Sequence, residues 1–477
     1  MAVDTAEELL AAYDEAPLNG RYWTTFAILT VGIALDYFDF FIVGFLIAVL
    51  GPQWQLTYGQ SGVILLAAGI GGIVGALVCG GLGDKLGRKT MLVANSFICA
   101  AAGGSIALIP TGDWVTFAIL RFIVGFGLGG TVTPFNTLLV ETTPTRYRTL
   151  MASLGVVFPT VGGLISALTS ATLLEALGWR GVAALGVAPA VIGVLAIVLL
   201  PESARWLIAR GRFIAARQEV AKLLGVAAEK LPLPTVAPAA PPSGRLADLY
   251  ARPGLFWLTV IAWIGISTAE YAIILWGPTI FAMLLAIPVR QAAGYMAYMT
   301  LFGVCGKIVF SFVANWIGRR ACGMLNGYAA AVALAAAAYF HSVVLAGFPL
   351  FVVLVMIAFL FVDSSFVNLA PYSIEAYGVK LGSRAAGLGQ AANSVGRIVG
   401  PLCLAVIAGT GNLLSPPATE AAVQPTFLFL ACCGVAVALV FTFLAPETRG
   451  VPIAQSDGQS AATSAAGSYG LAKSPLS

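Results

Sequence analysis

Apolar stretches long enough to cross a bilayer recur along this chain, separated by short polar breaks. They fall near 23–50, 61–82, 91–110, 114–140, 150–174, 181–200, 254–284, 292–317, 321–341, 348–373, 384–410 and 426–445. About 20 consecutive apolar residues span a hydrocarbon core as a helix. The pattern therefore predicts an all-α membrane protein with twelve transmembrane helices. It breaks at length only over 201–253, where charged residues enter and a Pro/Ala run follows (Pro232, Pro234, Pro238, Pro241, Pro242). That stretch reads as a linker with a short basic helix, dividing six helices (23–200) from six (254–450). Residues 1–22 are acidic and polar, unlike the basic start of a cleaved signal peptide. They read as an N-terminal cytoplasmic segment. From Val451 onward the chain is rich in Ala, Ser and Gly and reads as a disordered tail.

The two blocks of six echo each other. GDKLGRK at 83–89 matches ANWIGRR at 314–320, and Glu141, which opens ETTPTRYR, matches Glu375, which opens EAYGVKLGSR. PES at 201–203 matches PET at 446–448. The paired motifs recur at nearly one period, which predicts two pseudo-symmetric six-helix halves. Parallel halves with a binding site between them describe a rocking transporter.

Charge sets the expected orientation. Of the 25 Lys and Arg, 20 fall in loops on one side, and only Arg180 and Arg290 fall on the other. Cytoplasmic loops are the basic ones, so both termini are expected in the cytoplasm. The remaining three, Arg121, Lys307 and Arg397, lie inside apolar segments. Charged residues make up 10% of the chain, against about 25% in a soluble domain. The net charge of +4 is carried by the loops and reflects topology, not nucleic-acid binding. The seven cysteines sit in or at the ends of apolar segments, with no disulfide or metal spacing. No metal, phosphate loop or catalytic cluster is legible, so no enzyme and no ATP-driven pump is expected.

Several motifs together resemble the major facilitator superfamily, over 23–450. GGLGDKLGRK at 80–89 is similar to its signature between the second and third helices, and RFIVGFGLGG at 121–130 to its fourth-helix signature. PESARWL at 201–207 and PETRG at 446–450 resemble marks of its sugar-porter-like branch. Within that branch, DYFD at 36–39, PESARWL and the Gly-Arg pair at 396–397 look most like aromatic-acid and related metabolite:proton symporters, niacin-type carriers among them. The seventh helix has no Gln, unlike the sugar porters. Tyr37 stands where the resembled Asp-Gly-x-Asp has glycine, and Asn315 where the second loop motif has aspartate.

The resemblance implies roles. Asp39 matches the proton-coupling aspartate of sugar–proton symporters, Arg121 its partner arginine, and Asp36 an extra carboxylate of the aromatic-acid group. A charge at mid-membrane costs at least roughly 2.5–3.5 kcal/mol unless paired, hydrated or neutralised. Asp36 and Asp39 lie three apart and share a helical face. Glu270, 234 residues after Asp36, reads as a second proton site or a selector for an amine. Arg397 offers a carboxylate a bidentate fork, with a salt bridge to Glu270 or Asp363 as the alternative. Lys307 either snorkels or pairs with Asp363. Tyr37, Phe40, Phe158, Tyr271, Trp276, Phe366, Gln390 and Asn393 are candidates to shape a pocket for a flat ring. Gating is expected from Gly80, Asp84, Gly87 and Arg88, with Asp84 near a helix N-terminus and the glycines allowing close backbone approach. Asn315 and Arg319 form the second copy. Glu141 with Arg146 and Arg148, and Glu375 with Arg384, read as matching latches.

The implied activity is proton-coupled import of a small organic, aromatic carboxylate by alternating access, at the inner membrane and as a monomer. The expected partners are that anion, protons and the lipid bilayer, with the proton gradient in place of a cofactor. A proton-antiporting exporter, an organic-cation carrier and a non-transporting sensor are the alternatives.

Overall fold

The computed structural model describes residues 5–236 and 246–449. The tail beginning at 451 and much of the Pro/Ala run lie outside the described residues. An amphipathic helix α1 (Thr5–Asp14) leads into α2 (Gly20–Gln53), α3 (Tyr58–Leu86), α4 (Arg88–Ser105) and α5 (Trp114–Thr142). The short α6 (Arg148–Gly155) precedes α7 (Phe158–Ala184) and α8 (Pro189–Leu199). The linker holds α9 (Ala204–Ala209) and α10 (Phe213–Leu224). The second half is α11 (Pro253–Leu284), α12 (Val289–Ile317), α13 (Arg319–Tyr339), α14 (Leu350–Glu375), α15 (Gly378–Ile407) and α16 (Pro416–Phe443). A two-stranded hairpin, Val344–Leu345 with Phe348–Pro349, joins α13 to α14.

Local chemistry starts these helices. Asn19 accepts from the Tyr22 amide at 2.8 Å to cap α2, Thr57 and Gln60 form a capping box at α3, and Asp113 caps α5 through Thr116. Each satisfies amides that the first turn leaves open. The helices outrun their apolar cores: α16 begins ten residues before its apolar stretch, with Pro at its first turn, a position that tolerates the missing N–H.

Residues 150–199 form one apolar helical run of 50 residues. At about 1.5 Å per residue it is far too long for one crossing. Gly178 breaks it, with φ 64° inside α7. The ends confirm two passes. Arg180 Nη2 donates to the Ile109 carbonyl at one end of the bundle, while Glu202 accepts from the Arg88 and Lys89 amides at the other. Twelve crossings follow among the described residues, six in each half.

Glycine sets how closely α3 and α5 pack. A Cβ at Gly125 or Gly129 would fall on the carbonyls of Ala68 and Gly72, and one at Gly71 or Gly75 on those of Phe122 and Phe126. Without a hydrophobic drive between helices in lipid, such small-residue contacts supply the packing.

The halves meet tightly at the end away from the loop motifs. There Tyr58 N donates to Asn412 O at 2.9 Å, Gly59 N to Thr410 O at 3.0 Å and Leu414 N to Leu56 O at 3.1 Å. Exposed Arg290 and Glu175 pair across the halves at 3.0 Å. At the motif-bearing end, Arg88–Glu141 (4.0 Å), Arg148–Asp14 (2.9 Å), Arg205–Asp14 (2.9 Å) and Arg319–Glu375 (3.2 Å) each pair without crossing from the first six helices to the second six. The sealed side is thus the one with few basic residues.

On the motif-bearing face, α1, α9 and α10 build a small cap. Ala6, Leu9 and Tyr13 bury against Trp206, Leu207, Ile208, Ala216, Val220 and Leu223.

Candidate functional site

Three groups of buried charge lie between the ends. In the first half, Arg121 on α5 is fully buried. It donates to the main-chain oxygens of Asp39 (Nη1, 2.8 Å) and Phe40 (Nη2, 2.7 Å) on α2. The Asp39 carboxylate stands 3.7 Å from Nη1, and its Oδ2 accepts no hydrogen bond. Arg121 is therefore held chiefly by backbone, and its tie to the carboxylate is loose. A Cβ at Gly103 or Gly186 would strike that carboxylate, so two glycines make its room. One turn away, Asp36 is 1% exposed, and neither oxygen meets hydrogen-bond geometry with a partner among the described residues.

The second group spans the halves. Arg397 on α15 donates from Nε to the Tyr271 hydroxyl at 2.9 Å and from Nη2 to the Tyr37 hydroxyl at 2.6 Å. Tyr271 belongs to the same half, Tyr37 to the other. No carboxylate lies within 4.0 Å of this guanidinium among the described residues, so neither Glu270 nor Asp363 is its salt-bridge partner. Three rings surround it instead, with centroids 5.7 Å (Tyr37), 5.8 Å (Phe40) and 5.2 Å (Tyr271) from its central carbon. Cation–π attraction and two phenol oxygens stand in for a counter-ion. Phe40 also lies 5.8 Å from the Arg121 guanidinium, so one ring touches both arginines.

The third group is in the second half. Lys307 on α12 pairs with Asp363 on α14 at 2.8 Å, and its ammonium lies 5.5 Å from the Phe366 ring. Thr160 on α7, from the first half, accepts from Lys307 at 2.6 Å and donates to Asp363 at 3.0 Å. Glu270 is buried beside Asp363, within electrostatic reach of Lys307 and Arg397.

Other predicted positions fall elsewhere. Trp276 donates to the Pro401 carbonyl at 2.9 Å and packs on Tyr58, so it belongs to the seal, not to a pocket around Arg397. Phe158 packs edge-on against Phe26. Exposed Gln390 accepts from Asn393, which in turn accepts from Ser267; Asn393 ties α15 to α11.

The loop signature is rearranged from its expected form. The Asp84 side chain is 76% exposed and 3.4 Å from Arg88; it ends α3 and caps no helix N-terminus. That place belongs to Glu202, whose Oε1 accepts from the amides of Arg88 (3.1 Å) and Lys89 (3.2 Å). Glu447 does the same for Arg319 (2.9 Å) and Arg320 (3.2 Å). Gly87 (φ 103°) and Gly318 (φ 95°) carry the two turns, and a Cβ on either would strike the capping glutamate. Only glycine adopts that backbone freely. A Cβ added at Gly80 would meet nothing within 4 Å beyond its own helix, so no close helix contact requires glycine there. Glu141 pairs with Arg88, not with Arg146 or Arg148; Arg148 goes to Asp14, and Arg146 lies over Tyr147. Glu375 pairs with Arg319 and accepts from Thr448 at 2.8 Å, not with Arg384. Asn315 donates back to Ser311 on its own helix. Sequence reasoning missed Glu202, Glu447, Thr160 and Asp14. The first two carried a signal, since PES and PET repeat in step with the loop they cap.

Comparisons with known proteins agree with this architecture. The model of the family described as sugar (and other) transporter matches residues 24–458. The niacin transporter NiaP of Acinetobacter baylyi is 28% identical over 452 residues, covering 93% of this chain and 98% of its own. The 4-hydroxybenzoate transporter PcaK of the same organism is 32% identical over 203 residues, 42% of this chain and 44% of its own. A partially occluded, inward-open structure of the xylose transporter XylE from E. coli superposes with a TM-score of 0.67, at 15% identity, over 90% of this chain and 99% of that one. That last likeness is one of fold.

Proposed function

We propose, from the premise that this chain belongs to the sugar (and other) transporter family, that it imports a small planar organic carboxylate together with protons. Arg397 carries the reading. It is a cation buried between the two halves, with no carboxylate within 4.0 Å among the described residues and three aromatic rings around it. A guanidinium so placed costs free energy until an anion arrives. A planar carboxylate supplies the charge and a bidentate fit, and its ring the stacking surface. NiaP and PcaK, whose names specify ring carboxylates, favour the same class.

Asp39 and Asp36 are the proton carriers in this reading. Arg121 leans on backbone oxygens, so protonating Asp39 costs only a loose ion pair. The basic loop residues described on the motif-bearing side favour that side as the cytoplasmic one, and in this reading the sealed side faces outward. The protein works as a monomer in the inner membrane, with the proton gradient in place of a cofactor.

The test is uptake into proteoliposomes with the outside acidified, using labelled nicotinate, benzoate, a short aliphatic acid and an organic cation. Gradient-dependent accumulation of a ring carboxylate is expected. Accumulation of the cation alone would refute the reading and shift interest to Glu270 and Asp363. Uptake driven only by the opposite gradient would make the protein an exporter.

A further inference from the structure

We infer that Glu270 takes up a proton when the substrate carboxylate reaches Arg397, which ties cargo and proton together at one place in the second half. The inference rests on the carboxylate reading of Arg397, and it adds a proton site to Asp39 and Asp36. It follows from a count of charge. Arg397, Lys307, Asp363 and Glu270 are all buried, two cations and two anions. Lys307 and Asp363 are closed on each other at 2.8 Å, with Thr160 bonded to both. Arg397 and Glu270 are left over. They form no ion pair within 4.0 Å, yet Glu270 lies within electrostatic reach of Arg397. Before cargo arrives, this carboxylate balances that guanidinium from a distance.

A bound carboxylate sets three anions against two cations. A buried anion left without a cation is costly, and a proton from solvent removes the excess charge. Glu270 is the group placed to accept it. Asp363 keeps Lys307, whereas the cation that balanced Glu270 is now taken by the cargo. Glu270 is also the more open of the two carboxylates, 7% exposed against 0%. It stands within hydrogen-bonding reach of Asp363, so a protonated Glu270 has a carboxylate oxygen to donate to. The helices packed on α11 offer no rival among the described residues. α12 brings Lys307, α14 Asp363, α15 Arg397 and α2 the Tyr37 hydroxyl. Asp39 of α2 lies against Arg121 and Gly103, and Asp36 beside Asp39 and Thr131. α16 carries exposed Glu420 next to Thr419 of the seal, and Cys433, whose carbonyl lies at Gly265, more than a turn from Glu270. By linkage, the proton then favours the carboxylate as much as the carboxylate favours the proton.

The experiment counts the protons taken up when nicotinate or benzoate binds the purified full chain, by calorimetry in buffers of different ionisation enthalpy. The range is about pH 6 to 9, where carboxyl groups that titrate near 4 stay ionised. The wild type should take up at least about one proton per ligand at the alkaline end, and its affinity should fall by up to about tenfold for each unit that pH rises through the linked range. Glu270→Gln should lower the count by about one proton and flatten the affinity profile to match. It should also bind more tightly than the wild type at the alkaline end, because Gln is neutral and can donate to Asp363 as the protonated acid does. The double variant Asp36→Asn/Asp39→Asn should still take up about one proton.

The outcomes separate the two layers. If neither acid binds the wild type at any pH, or if Arg397→Lys binds them as the wild type does, the carboxylate reading falls and this inference with it. Binding that depends on Arg397 but takes up no proton across the range overturns the inference alone, and that result needs no change at Glu270. An undiminished count in Glu270→Gln does the same. A count abolished in Asp36→Asn/Asp39→Asn assigns the proton to the first half and likewise overturns it; this double variant decides the matter if Glu270→Gln is not recovered folded.

Discussion

Lys307 and Asp363 form a buried ion pair, closer than the equally buried Arg121 and Asp39 at 3.7 Å, with side chains 3% and 0% exposed and 2.8 Å apart. At that distance the attraction is about 6 kcal/mol for an effective dielectric of about 20, but desolvating both groups offsets most of it. The pair is consequently of small net worth, while a single survivor is costly. Lys307→Met leaves Asp363 without its cation, with the Thr160 hydroxyl at 3.0 and 3.2 Å and the Glu270 carboxyl beside it. Asp363→Asn leaves an ammonium whose remaining hydrogen bonds go to Thr160 and the Val156 carbonyl, with the Phe366 ring 5.5 Å away. Asn is the apt replacement because it keeps the size of the side chain beside Gly303, where an added Cβ would already come within 2.7 Å of the carboxylate. Each single change should cost on the order of 3–5 kcal/mol, and the double change about 1 kcal/mol or less. The assay is thermal unfolding of the four proteins in detergent, analysed as a double-mutant cycle. A double variant no more stable than the worse single would refute the reasoning. So would a Lys307→Met protein that melts with the wild type, since the carboxylate would then have another partner.

Asp39→Asn should abolish accumulation driven by a pH gradient while leaving counterflow exchange measurable in proteoliposomes; undiminished driven uptake would remove Asp39 from coupling. Gly129→Val should prevent recovery of monodisperse protein by size-exclusion chromatography, because its side chain meets the Gly72 backbone, whereas Gly80→Ala should elute as the wild type does. Glu202→Ala and Glu447→Ala should each lower the unfolding free energy by a similar amount, about 0.5–2 kcal/mol for a lost helix cap; a loss confined to one of them would show that the two turns are not equivalent.

The apolar periodicity made the twelve crossings legible, because hydrocarbon imposes a minimum length and forbids unsatisfied backbone. It also located the intramembrane charges, since each is costly where it stands. Pairings were less legible. Arg121 with Asp39 followed from the resemblance, but its grip on two main-chain oxygens has no side-chain signature. Lys307 with Asp363 was one of two readings, and only the positions of α12 and α14 decide between them. The latches went wrong for one reason: neighbours in sequence, such as Glu141 with Arg146 and Arg148, were paired, while the turn at Thr143–Tyr147 points them apart and gives Arg148 to Asp14. Tyr37 stood out in the sequence as a departure from the resembled motif, and the structure puts that side chain on Arg397.

The cap of α1, α9 and α10 bonds to one half only among the described residues. Asp14 reaches Arg148, Trp206 and Arg210 donate to the Asp84 carbonyl, and Asn19 donates to Leu223 O. It is therefore a passenger on the first half, not a strut between the two. An antibody fragment raised against its Glu7/Glu8 face would add mass and an alignment handle for single-particle imaging without freezing the cycle. A fragment that also grasped the Arg319–Arg320 turn would tie the first half to the second, and in the proposed alternating-access reading is expected to stop transport without touching Arg397.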